Sequence, residues 1–517
     1  MRSLRKKEVF MKCDKILDLH QLSQKVWRAK SERKKVVHCH GVFDLLHIGH
    51  IRHFEQAKKM GDVLIVTVTP DRFVNKGPNK PVFNENLRAE AIAALEIVDY
   101  VAINKWPMAV ETIRLLRPHF YVKGKEYSDT EKDHTKGIKP EEEAIISVGG
   151  KLVFTEDITF SSSNLLNHNF AVFPKEVREF LDKFSYKYRA DDILYYLDKA
   201  KSMKVLVLGE TIIDEYLYCS AIGKSSKEPT IAVQSLSSEK FAGGILAVGN
   251  HVASFCKEVG LLSFLGDKNS HEEFIKDKLK ENIKNRLLIK KNSPTIIKRR
   301  YIDEYFFNKL FEVYEINSKT IDESENNEFC NILRDILPEY DVVVTVDFGH
   351  GMFTKEAIDI LSKHSRFLAI NTQSNAANTG YQTITKYPKA DYICMNEGEV
   401  RMEMRNRDGD LEDIVLSLSE RFNTKNIAIT QGSYGCFCYN EKKGFIKIPS
   451  FAKDVKDRIG AGDAFLSITA LCAAQNAPLE IIGFVGNAVS TQAVMTVGHR
   501  NFIEKVPLFK FIETLMK

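Results

Sequence analysis

From Val36 onward, short apolar runs alternate with stretches in which apolar residues recur every three or four positions. VVHC, VLIVTV, DYVAI, FYV and KLVF have the length of buried strands, and a helical stretch from about His50 to Met60, closed by Gly61, separates the first two. That is a βαβ unit, and its continuation predicts a parallel sheet covered on both faces. Ahead of it, Leu19, Leu22 and Val26 fall at helical spacing and predict a short amphipathic helix lying on the first domain. Between about Phe170 and Met203 the pattern becomes two helices, with Val177, Phe180, Leu181 and Phe184 on one stripe and Ile193, Leu194 and Leu197 on another. Aromatic side chains make this a docked connector rather than a flexible linker. Lys204 then opens a second α/β series with KVLVLGE, followed by DVVVTVDF, FLAIN, YICMN, NIAIT and GCFCY. The expected organisation is a helical extension over 1–35, a domain over 36–170, a connector over 171–203 and a domain over 204–517.

A chain of 517 residues suits two large domains or three smaller ones, and 44% hydrophobic, 10% aromatic and 28% charged residues are ordinary for a globular protein. Lys and Arg number 74 against 69 Asp and Glu, and the resulting net charge of +5 is too small to argue for nucleic acid or an anionic membrane as partner. Phosphate binding must therefore be local. No apolar run reaches membrane-spanning length, and the basic N-terminus lacks the apolar stretch of a secretory signal, so a cytoplasmic protein is expected. Nine cysteines without paired Cys-x-x-Cys knuckles exclude a disulfide framework; Cys436 and Cys438 share a strand face and read as small buried hydrophobes. The two halves carry different glycine-rich signatures, so they are not repeats of one another.

The first chemical passage is His40-Gly41-Val42-Phe43-Asp44-Leu45-Leu46-His47-Ile48-Gly49-His50. Gly49 lets a phosphate approach the backbone where a helix begins, and the unpaired N–H groups there favour an anion. His47 and His50, three apart, can project toward that anion and donate hydrogen bonds as charge builds on an α-phosphate. Two surface histidines, or a metal site extended by His53, are the bland alternatives; no convincing set of further zinc ligands lies nearby in sequence.

Over about residues 36–170 this passage resembles the cytidylyltransferase-like nucleotidyltransferases with their His-x-Gly-His signature. It resembles most closely the adenylyltransferase half of bifunctional heptose kinase/adenylyltransferases. Gly61-Asp62, the Lys76-Gly77 and Pro81 loop, Arg88, and Lys123-Gly124 within RPHFYVKGKEY carry the likeness. The resemblance implies a Rossmann-like domain in which His47, His50 and Lys76 are catalytic. It also implies that Gly41, Phe43, Asp44, Gly49, Lys123 and Gly124 bind nucleotide and that Arg88 contacts substrate. Ser161, Ser162, Ser163 and Asn164 stand where that family has a Ser-Thr-Thr loop on the triphosphate. His-Ile-Gly-His also occurs in class I aminoacyl-tRNA synthetases, with Lys224-Ser225-Ser226-Lys227 as a loose second signature, but no basic tRNA-sized appendage follows.

Near the C-terminus stands Asp457-Arg458-Ile459-Gly460-Ala461-Gly462-Asp463-Ala464-Phe465, ahead of a helical stretch. Backbone N–H groups at such a helix start can hold a phosphoryl group, and Asp463 at its mouth can take a proton from an attacking hydroxyl. A plain helix cap is the other reading, and the residues alone leave both open.

The segment from about 204 to 505 resembles the ribokinase-like carbohydrate kinases, specifically the kinase half of the same heptose enzymes. The likeness rests on Gly209-Glu210-Thr211-Ile212-Ile213-Asp214, Gly243-Gly244, Asp347 in DFGHG, Asn396-Glu397-Gly398-Glu399 and the 460–463 motif. It implies that Asp463 is the catalytic base and that Asp214, Gly243, Gly244 and Asp347 hold substrate. Asn396, Glu399, Thr430, Gly432, Gly435, Gly460, Ala461, Gly462 and Asn487 would line the nucleotide, with Glu399 toward Mg²⁺. Where the family has Gly-Gly-Ala-Ala-Asn this chain has Gly243-Gly244-Ile245-Leu246-Ala247, and Asn250, one turn on, is the candidate replacement for the lost amide. Arg458 replaces a threonine, and Asn371-Thr372-Gln373 stands for Asp-Pro-Lys, changes that admit an altered acceptor or a weakened kinase.

Together the resemblances imply a bifunctional enzyme of nucleotide-activated sugar synthesis of the ADP-heptose type, with transferase preceding kinase, the reverse of the heptose enzymes. Its ligands would be sugars or sugar phosphates, ATP with Mg²⁺ in the kinase domain, ATP or CTP in the transferase domain, and K⁺ as a further cation. A homo-oligomer is expected. The alternatives are a cytidylyltransferase acting on an alditol phosphate such as glycerol phosphate beside a weak or ligand-sensing kinase-like domain, a monofunctional transferase, and a nucleotide-sensing regulator.

Overall fold

The structure, a computed structural model, describes residues 14–74, 80–125, 138–155, 173–376, 378–422 and 424–516. It divides into two compact units, one built mainly on the chain up to Val172 and one on Phe173–Leu508. Lys76, Ser161, Ser162, Ser163 and Asn164 lie outside the described residues.

The first unit runs α1 (Leu19–Ser31), β1 (Val36–Gly41), α2 (Ile48–Lys58), β2 (Val63–Val68), α3 (Glu85–Ala93), β3 (Tyr100–Ile103), α4 (Val110–Leu116), β4 (Phe120–Gly124), α5 (Ile138–Ser147) and β5 (Lys151–Thr155). Its strands pair in parallel in the order β3-β2-β1-β4-β5. β2 is buried at every position, which is why it reads as an unbroken apolar run. The chain leaves β1 toward β2 and returns later to β4, so the order reverses between β1 and β4, the switch point at whose C-terminal strand ends open α/β sheets bind their ligands. Helix α1 starts on a capping box in which Asp18 and Gln21 bond each other's backbone, and it buries Leu19, Leu22 and Val26 beside Val36, Ile65 and Leu116.

The second unit begins with the connector helices α6 (Lys175–Lys187) and α7 (Ala190–Lys199). Phe184 stacks on Phe484 with ring centroids 4.4 Å apart, Lys187 pairs with Glu480 at 2.5 Å, and Gln475 donates to the Tyr196 carbonyl at 2.9 Å, so both helices are docked on this unit. Then follow β6 (Lys204–Gly209), β7 (Thr211–Lys224), β8 (Ile231–Gly244), α8 (Ile245–Ala253), β9 (Glu258–Lys268), α9 (Glu272–Lys278), β10 (Ile283–Pro294), β11 (Ile296–Asp303) and β12 (Lys309–Glu315). The remainder is α10 (Glu323–Ile336), β13 (Val342–Asp347), α11 (Lys355–His364), β14 (Leu368–Thr372), β15 (Tyr392–Asn396), α12 (Glu397–Glu403), α13 (Leu411–Phe422), β16 (Asn426–Thr430), β17 (Cys436–Asn440), β18 (Gly444–Ile448), α14 (Ala461–Ala474) and α15 (Leu479–Val494).

Among the described residues this unit carries a nine-stranded sheet, ordered β10-β9-β6-β13-β14-β15-β16-β17-β18, and a separate four-stranded sheet, ordered β12-β11-β7-β8. The second sheet has no counterpart in the apolar pattern. The distal half of β7 and most of β8 are exposed, so their side chains carry little of the apolar signal that marks a core strand. Asp214 lies inside β7, and Lys224-Ser225-Ser226-Lys227 belongs to the β7–β8 hairpin. Cys436 and Cys438 are fully buried with their sulfurs 3.8 Å apart. Among the described residues no helix is long and apolar enough to cross a membrane.

Candidate functional site

In the first unit the loop after β1 turns back sharply, with Phe43 and Leu45 both at φ 49°, and delivers His47 to the N-cap of α2. His47 Nδ1 accepts the Gly49 N–H at 3.1 Å, so the ring proton of its neutral form sits on Nε2. The His47 and His50 rings stack, with centroids 3.9 Å apart and planes at 24°, and the Phe43 ring meets His50 edge-on at 5.5 Å. The two imidazoles thus form one unit at a helix start, beyond the end of β1. His53 is not grouped with them: its Nδ1 lies 2.9 Å from Thr155 Oγ1, and burial holds it down to about 4. Among the described residues no group of three His, Cys, Asp or Glu side chains could hold a metal. Gly41 and Gly124 end the neighbouring strands β1 and β4, and Lys123 Nζ reaches the His40 carbonyl at 3.4 Å.

Two expectations for this unit are corrected. Arg88 is 1% exposed, and its guanidinium donates to the Phe83, Val42 and Thr69 carbonyls and to Asp71, so it locks the loop rather than contacting substrate. Asp44 likewise does not face a nucleotide: its carboxylate accepts the N–H groups of Val82 and Phe83, at 2.8 and 3.1 Å. The two residues tie the loop carrying the histidines to residues 82–83 from both sides.

In the second unit Gly460 takes φ 79° as the N-cap of α14, placing the N–H groups of Ala461, Gly462 and Asp463 in the helix's first turn. A Cβ on Gly460 would stand 2.1 Å from the His499 ring, whereas one on Gly462 would meet nothing within 4 Å, so open space lies in front of that turn. Asp463 is 7% exposed; burial and the Asp214 and Glu399 carboxylates push it up to about 7, with Lys298 opposing. Asp214 is bonded to Arg300 and lies 3.6 Å from His499 Nε2. The room for that carboxylate comes from Gly243, since a Cβ there would stand 1.9 Å from Asp214 Oδ2. Gly244, at φ 52°, caps α8 directly behind it. Asp457 ties the motif to the four-stranded sheet through Tyr216 at 2.5 Å and Lys309 at 2.6 Å.

Lys298, Arg300 and His499 were not anticipated. Lys298 and Arg300 are two apart on β11 and so share a face, in register with Asp214 and Tyr216 of β7. Lys298 is 6% exposed and lies over the Tyr314 and Phe348 rings, while burial lowers its pKa against the pull of Asp214 and Asp463. The run KRR in an apolar strand was the available signal.

The remaining candidates divide. Asn396 and Glu399 cap α12 through a reciprocal box, and Glu399 also accepts the Ser374 N–H at 3.0 Å; burial raises its pKa. Thr430 ends β16, and Gly432 and Gly435 form the short turn before β17. Three expectations fail on geometry. Asn250 is fully buried and its amide holds the Lys278 carbonyl and the Lys280 N–H, so it does not replace the family's sugar-facing amide. Asp347 is 1% exposed, with Tyr387, Lys386, Gln382 and the Gly349 N–H all on its carboxylate, and it anchors a loop instead of presenting to substrate. Asn487 donates to Cys436 Sγ and the Ile448 carbonyl, at 3.2 and 3.3 Å, and so braces β17 and β18.

Gly243→Ala is expected to displace Asp214 and lower turnover at this site at least about tenfold while the thermal midpoint falls by only a few degrees, because the clash falls on a site carboxylate. Steady-state kinetics beside thermal melting checks it.

Comparison with known proteins yields two family models. The pfkB family carbohydrate kinase model matches residues 202–506, more than half the chain, and the cytidylyltransferase-like model matches residues 38–168. The chain is 26% identical over 326 residues to the bifunctional protein HldE of a Nitratiruptor species, an alignment covering 60% of this chain and 68% of that protein. To the bifunctional protein HldE of Aliarcobacter butzleri it is 44% identical over 96 residues, 18% of this chain and 20% of the relative. A ribokinase structure from Thermotoga maritima superposes with a TM-score of 0.47 at 16% identity, covering 60% of this chain and 99% of that one.

Proposed function

The chain belongs to the pfkB family of carbohydrate kinases, and from that premise we propose a bifunctional enzyme of nucleotide-activated sugar synthesis. The second unit transfers the γ-phosphoryl group of ATP to a sugar or sugar phosphate. The first joins a sugar phosphate to a nucleoside monophosphate from ATP or CTP, releasing pyrophosphate. The pairing of a cytidylyltransferase-like region with the kinase, and the relatives named bifunctional, support an ADP-heptose type of pathway. A cytoplasmic homo-oligomer is part of the same reading.

The observation that carries the kinase half is Asp463, a nearly buried carboxylate in the first turn of α14 whose proton affinity is raised to about 7. Such a group can accept the acceptor hydroxyl's proton near neutral pH, while the N–H groups of Ala461 and Gly462 face the phosphoryl group. Asp214 and Arg300 orient the acceptor. Mg²⁺ would be held near Glu399 and Asp463, two carboxylates that repel one another, together with the phosphates of the nucleotide. When bound, it neutralises charge on the transferring group. Lys76, Lys123 and the 161–163 serines, in this reading, grip the triphosphate in the first unit; Gly41 and Gly49 give it access to the backbone.

The experiment is incubation of the purified chain with a panel of sugars, sugar phosphates and glycerol phosphate, and each of four nucleoside triphosphates, with mass spectrometry of products. A phosphorylated sugar plus a nucleotide sugar is the expected result; a cytidylylated alditol with no sugar phosphorylation would overturn the reading.

Lys298 gives a sharper check. Removing a cation that favours ionised Asp463 raises that group's proton affinity, so Lys298→Met is expected to move the acid limb of the kinase pH–rate profile to higher pH. Asp214→Asn, which removes a repelling carboxylate, is expected to move it lower.

A further inference from the structure

Behind the expected triphosphate site of the first unit lies a buried polar seam that the sequence did not disclose. On one face of the sheet His38 and His40 of β1 stand beside Tyr121 and Lys123 of β4, in the register that pairs His38 with Tyr121. His38 Nε2 and His40 Nδ1 both meet Thr67 Oγ1, at 2.7 and 2.9 Å. Burial, reinforced by the Lys123 charge, holds His40 down to about 3, so the histidines are neutral and the lysine is the seam's cation. Its counter-charge comes from α5. Glu141, 4% exposed, lies 3.1 Å from Lys123 Nζ through Oε2, which also accepts the Tyr121 hydroxyl at 2.9 Å, while Oε1 accepts the Ala109 N–H at 3.0 Å.

We propose that Glu141 is a positioning residue for nucleotidyl transfer: it fixes the Lys123 ammonium at the C-terminal edge of the sheet, where β1 leads into the His47–His50 loop and the nucleotide's phosphates are to be met. The inference rests on the reading of the first unit as a nucleotidyltransferase. A lysine on a four-carbon stem has no preferred direction of its own, and a point charge that wanders binds a polyphosphate poorly. Here the direction is imposed from three sides. Glu141 holds one flank of the ammonium, the His40 carbonyl another, and the Tyr121 ring lies under it at 5.3 Å. Glu141 is itself immovable, because a phenol and the N-cap backbone of α4 occupy the rest of its carboxylate. A buried carboxylate with three donors is a rigid anchor, where a surface pair would not be.

Glu141→Gln keeps the shape and withdraws the charge. It is expected to raise the KM for the nucleoside triphosphate about 10- to 100-fold, the range met when the partner behind a ligand-binding group is lost, with kcat changed less. In a Lys123→Met background the same substitution is expected to add nothing further to KM, because its effect runs through the lysine. A purely structural Glu141 predicts the opposite pattern: a lower thermal midpoint and a smaller active fraction, with KM within twofold of the parent and equal losses in both backgrounds. Either of those results overturns the proposal. Should the glutamine variant not fold, Glu141→Asp keeps the charge but draws it back, and its KM shift with and without Lys123 separates the two roles in the same way. Absence of pyrophosphate release by the unmodified chain with every acceptor would sink the reading of the unit instead. Titration calorimetry of ATP and CTP binding to the same four proteins then still reads the coupling.

Discussion

Asp463→Asn is expected to lower sugar phosphorylation by about 10²- to 10⁴-fold while leaving pyrophosphate release by the first unit as the internal control. The substitution preserves volume and removes the negative charge together with the ability to take a proton. The parent enzyme supplies a second signature. A base raised to about 7 in the free protein is protonated below that pH and inactive in that form, so the kinase rate should climb about tenfold per pH unit on the acid side and then level off, at a pH lowered to the extent that bound Mg²⁺ favours the carboxylate. The asparagine variant should lose that limb entirely. Retention of more than about a tenth of the parent rate, or an acid limb that survives the substitution, would remove Asp463 from the reaction and leave it as a buried residue of the first turn of α14. Phosphate assays across pH 5 to 9, with both activities read from one preparation, decide it.

Much of this molecule was written in its apolar periodicity, and the exceptions have a common physical origin. Strands buried on both faces, such as VLIVTV and DVVVTV, announce themselves, and so do the connector helices with their aromatic stripes. The four-stranded sheet does not, because much of β7, β8 and β12 faces outward and polar residues suffice there. With that sheet went its functional side chains: Lys298 and Arg300 join Asp214 only once β11 is laid parallel to β7. Motif residues fared unevenly for a related reason. A motif fixes which residue types stand near a ligand, but not which of them face it and which hold the others in place. His47, His50 and Asp463 stand at helix starts, whereas Arg88, Asp44 and Asp347 are engaged by neighbours. The anchoring set is what gives the facing set its geometry, and side-chain hydrogen bonds across 38 or 46 residues leave no trace in local sequence.

His50→Ala is expected to lower nucleotidyl transfer by about 10²- to 10³-fold, chiefly in kcat, with sugar phosphorylation untouched. Charge on the α-phosphate oxygens grows as the sugar phosphate attacks and pyrophosphate departs, so a donor aimed there stabilises the transition state more than bound ATP. His47 carries a second burden. Its Nδ1 caps α2 through the Gly49 N–H, and replacing it with alanine removes that cap, at a cost of about 1 kcal/mol, together with the imidazole. Loss of activity in His47→Ala therefore mixes two causes. His47→Asn separates them, because an asparagine oxygen can accept the same N–H: its thermal midpoint should return close to the parent value while nucleotidyl transfer stays low. Because the rings stack at 3.9 Å as one unit, the double variant should be little worse than the poorer single one. Recovery of activity along with stability in His47→Asn would make that histidine a cap alone. A His50→Ala enzyme releasing pyrophosphate at half the parent rate would place the chemistry of the first unit elsewhere.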